Sequence, residues 1–281
     1  MNAYFESAAT YWKKIYSGDR LLPAIYRDRH NTALRWVCRL DLPSHARILE
    51  VGCGAGLITV ALARNGHTVD AMDSTAAMLE VTRKGAAHRG VEDRIRLHLA
   101  DAHALPFDAQ TFDLVIAIGV IPWLHSEAVA IQEMQRVLKP GGYLFVTADN
   151  NARLNRILDP LSCPLLTPLR LGAKGLLEVL GLWSPDSAFQ PKRHYPRQVN
   201  RLIGNCGFEE VKSCTVGFGP FTLFGKQLFS ETIGVRLNRR LQALASRRGV
   251  AFLRWTGSHY LVLGRKVRSS TGSCDTVNRA A

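Results

Sequence analysis

Residues 48–56 read ILEVGCGAG, and this stretch decides the fold. The apolar residues around Glu50 predict a buried strand, and the glycines that follow predict a tight turn. Residues 57–66, LITVALARNG, then have helical periodicity. Glycine suits such a turn because the backbone must bend sharply and approach a ligand with no Cβ in between. The dinucleotide pattern G-x-G-x-x-G is not met, since the third glycine comes one residue early.

Three later segments predict strands that reach the same edge of a sheet. The strand at 67–72 leads to Asp73, about 20 residues after the glycine turn, where a carboxylate can accept hydrogen bonds from both hydroxyls of a ribose. Asp101 follows a third predicted strand that begins at Ile95. The apolar run FDLVIAIGVI, 112–121, is typical of a central parallel strand covered on both faces. Open α/β sheets bind ligands at the carboxyl ends of their strands, so a nucleotide site is predicted there.

Residues 46–150 resemble the core of the class I S-adenosylmethionine-dependent methyltransferases. The resemblance rests on EVGCGAG (50–56), Asp73, Asp101, LPFDAQTFDLV (105–115) and QEMQRVLKPGGYLFVTA (132–148). It implies an α/β fold, a doubly wound seven-stranded mostly parallel sheet with helices on both faces, whose last strand, 259–265, is antiparallel. It also implies S-adenosyl-L-methionine as the cofactor.

The resemblance assigns roles to the core residues. Glu50 is expected to orient the cofactor's ammonium group, Asp73 to hold the ribose and Asp101 to accept the exocyclic amine of adenine. The other predicted cofactor contacts are Gly52, Cys53, Gly54, Ser74, Ala102, Ile118 and Gly119. Ser74 is also expected to cap a helix at 75–89.

The chain is predicted to divide into four segments around this core. They are an N-terminal helical lid (1–45), the cofactor-binding core (46–150), the acceptor-side insertions with the last strands of the same domain (151–266), and a disordered tail (267–281). The length of 281 residues, with 47% apolar residues, suits one sizeable core with an attached lobe.

The lid carries candidates for the methionine end of the cofactor. Residues 4–40 are predicted to form two helices. If the lid resembles that of small-molecule methyltransferases, Arg27 or Arg29 pairs with the methionine carboxylate, and Tyr11 or Tyr16 closes over it. Tyr16 and Arg29 are the expected contacts. The structural alternative is that the aromatic residues pack the lid helix and the arginines face solvent.

The segment GVIPWLH, 119–125, bears on the chemistry. It lacks the Asp/Asn-Pro-Pro-Tyr box of amino-group methyltransferases and the Glu that quinone O-methyltransferases use with histidine for metal-assisted deprotonation. His125 is the nearest candidate for a general base, and His194, just before a predicted helix, is a second. The alternatives are structural: His125 precedes Ser126, a good N-cap, and His194 suits a turn.

The charge is distributed unevenly along the chain, whose net charge is +13. Residues 1–150 hold 16 basic and 16 acidic residues, and residues 151–281 hold 20 basic and 7 acidic ones. The basic half predicts an anionic partner: a phosphorylated or carboxylated acceptor, a lipid headgroup layer or nucleic acid; a solvated face without a partner is the alternative. Residues 231–248 predict a basic amphipathic helix, which either lies on an anionic membrane or, as favoured here, packs over the substrate pocket.

The six cysteines include no C-x-x-C pair, and their spacing suits neither zinc nor a disulfide framework. Reduced thiols and no metal are therefore expected. No signal core and no apolar run of membrane-spanning length are found, which predicts a cytoplasmic protein that is at most peripheral at a membrane.

The expected function is methyl transfer from S-adenosylmethionine to a small or lipid-linked acceptor, at oxygen or nitrogen. Two alternatives stay open: an RNA methyltransferase that uses the basic half, and a non-catalytic partner subunit that binds the cofactor. Nucleic acid is the lesser expectation, because the Pro-Pro box and a separate RNA-binding module are missing. The intact EVGCGAG, Asp73 and Asp101 argue against a degenerate subunit.

Overall fold

The computed structural model of the chain describes residues 15–16, 18–169, 171–172, 191–246 and 250–267. The strands found there are β1 (Arg47–Val51), β2 (Thr68–Asp73), β3 (Ile95–Leu99), β4 (Phe112–Ala117), β5 (Leu138–Asp149), β6 (Phe208–Val216), β7 (Thr222–Leu223), β8 (Lys226–Gln227) and β9 (His259–Lys266). The α-helices are α1 (Leu21–Val37), α2 (Leu57–Arg64), α3 (Ala76–Ala87), α4 (Glu127–Val137), α5 (Leu154–Leu158), α6 (Pro196–Asn205) and α7 (Glu231–Ala245). Short 3₁₀ helices lie at Glu92–Arg94, Ile121–Trp123, Pro164–Leu166 and Ala251–Trp255.

Seven strands form one sheet in the order β3-β2-β1-β4-β5-β9-β6. The strands from β3 to β5 are parallel, and β9 runs antiparallel to both of its neighbours. The predicted seven-stranded, mostly parallel sheet is confirmed. The order of the strands reverses between β1 and β4, and an open α/β sheet forms a crevice at the carboxyl ends of the strands at such a point.

Helices cover both faces of the sheet, which explains the nearly continuous apolar runs of its central strands. Successive side chains of β1 point to opposite faces: Ile48 packs with α1 and α2, while Leu49 packs with α4 and α6. Both side chains are fully buried. Each central strand therefore needs apolar residues at odd and even positions alike.

Two predicted boundaries are wrong. The apolar run at 112–121 is not one strand, because β4 ends at Ala117 and the chain turns at Gly119, whose φ is +73°. Ser74 is not the cap of the following helix, since α3 begins at Ala76 with Thr75 as its N-cap. The backbone N–H of Thr75 donates to Oδ1 of Asp73 at 3.0 Å.

The lid is described only in part. Helix α1 carries Pro23 in its first turn, a position that tolerates the missing N–H. Residues 1–14, with Tyr11, and residues 173–190 and 268–281 lie outside the described residues, so the first lid helix, part of the first insertion and nearly all of the tail stay predictions. Within the described parts of the chain, no helix is both long and apolar enough to cross a membrane.

Candidate functional site

A cleft of about 240 Å³ lies at the carboxyl ends of β1, β2 and β4, beneath α1. It is lined by every residue predicted to contact the cofactor: Tyr16, Arg29, Glu50, Gly52, Cys53, Gly54, Asp73, Ser74, Asp101, Ala102, Ile118 and Gly119. The two predicted bases, His125 and His194, are not among the lining residues. The fold thus brings residues of the lid and residues from distant parts of the cofactor-binding core together in one site.

The glycine turn forms the floor of this cleft. Gly52 and Gly54 have φ angles of +67° and +54°, which glycine adopts without steric cost. A Cβ on Gly52 would lie 2.5 Å from Cγ2 of Val120, so this glycine is needed for packing. A Cβ on Gly54 would have no other heavy atom within 4 Å. Because Gly54 lines the cleft, a side chain there would occupy the space of a ligand.

Asp73 ties the end of β2 to the glycine turn. Its Oδ2 accepts a hydrogen bond from the backbone N–H of Gly54 at 2.9 Å, and its Oδ1 accepts the one from Thr75. Burial raises the pKa of Asp73, and these backbone hydrogen bonds oppose the rise. Each carboxylate oxygen keeps a second lone pair with which it can accept a bond from a ligand hydroxyl.

Glu50 is buried on the floor of the cleft and accepts a hydrogen bond from the hydroxyl of Thr59. Burial raises the pKa of Glu50 to about 8, although the bonds from Thr59 act in the opposite direction. At neutral pH this carboxyl therefore keeps its proton. A positive group placed beside it would favour the ionised form.

Asp101 pairs with a histidine that the sequence interpretation missed. Oδ1 of Asp101 accepts bonds from the backbone N–H of His103 at 2.8 Å and from its ring Nδ1 at 2.5 Å. Nε2 of the same ring accepts the backbone N–H of Ser126 at 3.3 Å, which places the ring proton on Nδ1. Burial opposes ionisation of Asp101, but the bonds from His103 outweigh it and lower the pKa of Asp101.

His103 lines the cleft, and His125 stacks on it with 3.5 Å between the ring centroids. His125 itself is exposed, outside the lining of the cleft. Ser126 is the N-cap of α4, as predicted, and its side chain accepts a hydrogen bond from the backbone N–H of Val129 at 3.5 Å. A ring contact between positions 22 residues apart leaves no pattern in the sequence.

The structure distinguishes the two lid arginines. Arg29 is buried in the cleft, where its Nη2 donates to the Tyr16 hydroxyl at 3.2 Å and its guanidinium lies 4.7 Å from the ring centroid of Tyr26. Its Nε is buried without a hydrogen-bond partner. Arg27 instead donates to the backbone carbonyls of Tyr16 and Gly18, at 3.1 and 2.5 Å, outside the cleft.

Gly119 makes room for this arginine. A Cβ on Gly119 would lie 3.1 Å from Nη1 of Arg29, closer than ordinary van der Waals contact. The Gly119 N–H donates to the hydroxyl of Thr147 at 2.8 Å and is thus already engaged. Of the backbone groups of Gly119, only the carbonyl can accept a hydrogen bond from an ammonium group.

A further carboxylate, missed by the sequence interpretation, lines the cleft at the end of β5. Asp149 lies there beside His259 of β9, with Oδ1 and Nδ1 3.2 Å apart. Burial opposes ionisation of Asp149, but His259 outweighs it and lowers the pKa of the carboxyl. Burial also lowers the pKa of His259, so the pair is a carboxylate beside a neutral imidazole at neutral pH. The ring of Tyr26 packs on His259 with the centroids 5.3 Å apart.

His194 supports this end of the cleft from outside. Its backbone N–H donates to the carbonyl of Asp149 at 2.9 Å, and its ring Nε2 lies 3.4 Å from Oε1 of Glu127. Its Nδ1 is buried without a hydrogen-bond partner. His194 does not lie in a turn, contrary to the structural alternative, but forms an isolated parallel bridge with Asn150 that fixes the backbone at the end of β5.

Helix α7 does not pack over the cleft, contrary to prediction, since none of its residues lines it. The helix packs against α1: Glu231 accepts the backbone N–H of Leu21 at 2.8 Å, and Asn238 donates to Asp28 at 2.9 Å. A Cβ on Gly234 would lie 3.0 Å from Cδ2 of Leu21. Helix α7 thus braces the lid helix that carries Arg29.

Among the residues described, no group of three or more His, Cys, Asp and Glu side chains is arranged to hold a metal ion. The cysteines of the described segments are free thiols. Cys53, which lines the cleft, is buried, and burial raises the pKa of its thiol well above the usual value. A protonated thiol is a poor nucleophile.

Comparison with known proteins identifies the family. The model of a methyltransferase domain matches residues 49–146. The malonyl-(acyl-carrier protein) O-methyltransferase of Enterobacter lignolyticus (strain SCF1) is 30% identical over 239 residues, which are 84% of this chain and 74% of that protein. The ubiquinone biosynthesis O-methyltransferase of Chelativorans sp. (strain BNC1) is 30% identical over 177 residues, which are 63% of this chain and 64% of that protein.

The chain spans from 39% to 64% of the length of several curated relatives that it matches, the Chelativorans protein among them. Among solved structures, magnesium protoporphyrin IX methyltransferase from Synechocystis PCC 6803 with bound SAH has the same fold, with a TM-score of 0.61 and 14% identity. The superposition covers 94% of this chain and 97% of that one. With its sheet order, its glycine turn and these relatives, the chain belongs to the class I S-adenosylmethionine-dependent methyltransferases.

Proposed function

We propose that the protein transfers a methyl group from S-adenosylmethionine to a small or lipid-linked acceptor, at oxygen or nitrogen. The observation that carries the proposal is the distribution of charge along one cleft, with carboxylates near β2 and β3 and a buried arginine on the lid helix α1. Adenosine offers hydroxyl and amine donors, and the methionine end of the cofactor offers a carboxylate. The two ends of the cleft are complementary to the two ends of this cofactor.

The fit of the cofactor can be tested residue by residue. Asp73 is proposed to accept the ribose hydroxyls and Asp101 the adenine amine. Glu50 is proposed to face the ammonium group, and Arg29 the methionine carboxylate. The unpartnered Nε of Arg29 and the open space above Gly54 both support a ligand at this place. When bound, the cofactor supplies an activated methyl group, so the chain's own residues have to orient the acceptor and exclude water.

The acceptor is proposed to lie between the lid and the end of β5. Tyr26, His30 and Trp123 line this part of the cleft together with Asp149. Burial, followed by the charge of Arg29, lowers the pKa of His30 to about 4, so this ring is neutral at pH 7. Asp149 is a hydrogen-bond acceptor facing the cleft, which suits a hydroxyl or amine donor on the acceptor molecule.

Relatives support the class of acceptor. Their names include ubiquinone biosynthesis O-methyltransferase, malonyl-(acyl-carrier protein) O-methyltransferase and demethylmenaquinone methyltransferase. These names refer to small, carrier-bound or lipid-like acceptors. We infer an acceptor of the same kind for this chain.

If the acceptor arrives protonated, a general base is needed, and we propose which residues serve it. His125 reaches the cleft only through the stacked ring of His103, and His194 reaches it only through the backbone of Asp149. We therefore propose His103 and Asp149 as the groups that meet the acceptor. His125 and His194 are proposed to hold them in place.

We also propose that the protein works in the cytoplasm and meets an anionic membrane surface when its acceptor is lipid-linked. The excess of basic residues in 151–281 supports this. Nucleic acid is not proposed as a partner.

The experiment that tests the function is incubation of the purified protein with methyl-labelled S-adenosylmethionine and a host extract. The extract is then separated into aqueous metabolites, lipids and RNA. Label in metabolites or lipids is expected, and the Gly54→Arg variant serves as the blank without a cofactor site. Label in RNA would overturn the proposal. No label in any fraction, with cofactor binding intact by calorimetry, would instead indicate a non-catalytic partner subunit.

A further inference from the structure

Exposed apolar side chains concentrate on one surface of the described chain. We call it the leucine surface and define it by Leu158, Leu161, Leu165, Phe224 and Leu228, all of which are exposed. Leu165 is 85% exposed and Phe224 is 61% exposed. Single exposed leucines are ordinary on soluble proteins, but a cluster of them on two neighbouring segments marks an interaction surface.

One buried carboxylate joins the two segments. Asp159 follows α5, and its Oδ2 accepts hydrogen bonds from the hydroxyl of Thr222 at 2.5 Å and from the backbone N–H of Gly225 at 3.0 Å. Its Oδ1 accepts the backbone N–H of Leu161 at 2.9 Å. A Cβ on Gly225 would lie 3.7 Å from Cδ1 of Leu161. The tip of the β7–β8 hairpin is therefore held against the leucines that follow α5.

The tip of that hairpin carries a phenylalanine where the backbone favours another residue. Phe224 and Gly225 form the two-residue turn, with φ angles of +49° and +76°. Such turns favour Asn-Gly or Asp-Gly, because both central residues need positive φ. A bulky side chain in this conformation costs about 1 to 2 kcal/mol. The chain thus holds an aromatic ring in solvent at a conformational cost, which points to a role outside folding.

The sequence that contains the β7–β8 hairpin and α7 is rich in basic residues. Residues 211–267 contain ten lysines and arginines and one acidic residue, Glu231. Arg236 and Arg240 are four positions apart on α7, which places them on the same side of the helix; α7 begins three residues after Leu228, and both arginines are exposed. Glu231 is engaged with Leu21 of the lid.

We propose that the leucine surface lies on an anionic lipid membrane. The apolar side chains enter the boundary between headgroups and acyl chains, and Arg236 and Arg240 face the lipid phosphates. The surface begins at Leu158, nine residues after Asp149, which lines the acceptor end of the cleft. This inference deepens the proposed function, since it names where a lipid-linked acceptor would be met, but membrane binding itself does not require methyl transfer.

Vesicle binding by the full chain tests the proposal. We expect co-sedimentation with vesicles of phosphatidylglycerol and phosphatidylcholine in equal parts, about tenfold weaker binding to phosphatidylcholine alone, and release by added salt. Phe224→Asn is the decisive variant, because asparagine accepts the positive φ. It should keep or slightly raise the melting temperature while binding to the mixed vesicles falls about tenfold.

Matched variants separate apolar from charge contributions. The double variant Arg236→Gln/Arg240→Gln should bind the mixed vesicles about fivefold more weakly for each removed charge. Its binding to phosphatidylcholine vesicles should not change. Val211→Asn is the apolar control. Val211 is 52% exposed on the edge strand β6, and its replacement should leave vesicle binding unchanged. Arg64→Gln with Arg89→Gln is the charge control, since both arginines are exposed on the core far along the chain from the surface.

Three outcomes would overturn the proposal. The first is that the wild-type chain does not bind the mixed vesicles, and the second is that Phe224→Asn binds them as tightly as wild type. The third is a concentration-dependent dimer that Phe224→Asn dissociates, which would assign the surface to a second copy of the chain. Cofactor affinity, measured by calorimetry without vesicles, tests the proposed function separately.

Discussion

Replacement of Glu50 by glutamine should stabilise the cofactor-free protein, by an amount that grows with pH. The pKa of Glu50 is raised by burial from its ordinary 4.5 to about 8. Below pH 4.5 both the folded and the unfolded chain keep the proton, and Glu50 contributes nothing to the pH dependence. As pH rises towards 8, the unfolded chain loses a proton that the folded chain keeps, so the folded state is penalised.

The magnitude follows from the two pKa values. The penalty is about 1 kcal/mol at pH 5 and about 3 kcal/mol at pH 7, at 1.36 kcal/mol for each pH unit of difference. Glutamine keeps an acceptor for the Thr59 hydroxyl and has no charge to desolvate. Glu50→Gln should therefore raise the free energy of unfolding by about 2 kcal/mol more at pH 7 than at pH 5.

Urea unfolding of both proteins at pH 5 and pH 7, without cofactor, measures this difference. Thr59→Val is a useful companion variant, because it removes the hydrogen bond to Glu50 but leaves the buried carboxyl. A stability difference between wild type and Glu50→Gln that stays the same at both pH values would refute the reasoning, and so would a Glu50→Gln variant that is less stable at pH 7.

The same carboxyl should report cofactor binding. An ammonium group beside Glu50 favours its ionised form, so binding at pH 7 should release close to one proton from the wild-type carboxyl. Calorimetry in buffers of different ionisation enthalpy measures the protons exchanged. The difference between wild type and Glu50→Gln isolates Glu50 from the titration of the cofactor itself, and equal proton exchange in the two proteins would contradict the proposed place of the ammonium group.

Further predictions concern the remaining cleft residues. Gly54→Arg should abolish cofactor binding in calorimetry. Gly66 also has a positive φ and open space around its Cβ position, but it lies outside the cleft, so Gly66→Arg should bind the cofactor normally. Asp73→Ala should weaken binding about 100-fold, because a charged acceptor and its bonds to the glycine turn are lost. Arg29→Gln should weaken it roughly 10- to 100-fold, and Arg27→Gln by less than about twofold. Asp149→Asn should leave cofactor affinity within about threefold but reduce label transfer in extract at least about tenfold.

Two results would contradict these assignments most directly. Normal cofactor affinity in both Gly54→Arg and Asp73→Ala would remove the site from the glycine turn. Equal losses in Arg27→Gln and Arg29→Gln would show that the lid as a whole matters, rather than the buried guanidinium. For Asp149, His259→Gln should shift the acid limb of the pH–rate profile, and an unchanged profile would argue against the pair.

The sequence by itself determined the sheet and the cofactor side of the cleft. Apolar runs such as the one at 112–121 predict central strands, because a strand covered on both faces needs apolar residues at every position. Carboxylates that directly follow parallel strands must then meet at one edge, which is why Asp73 and Asp101 lie in one cleft with the glycine turn. Local periodicity and the direction of the strands are sufficient for these conclusions.

Tertiary structure alone decided the acceptor side. Asp149 and His259 are 110 positions apart and meet because β5 and β9 pair in antiparallel register. Arg29 rather than Arg27 enters the cleft because of the rotation of α1 above Gly119, which no residue pattern specifies. The place of α7 behind the lid depends on single contacts such as Asn238 with Asp28. Contacts of this kind depend on how whole elements dock against each other, and that docking is set by the packing of the complete core.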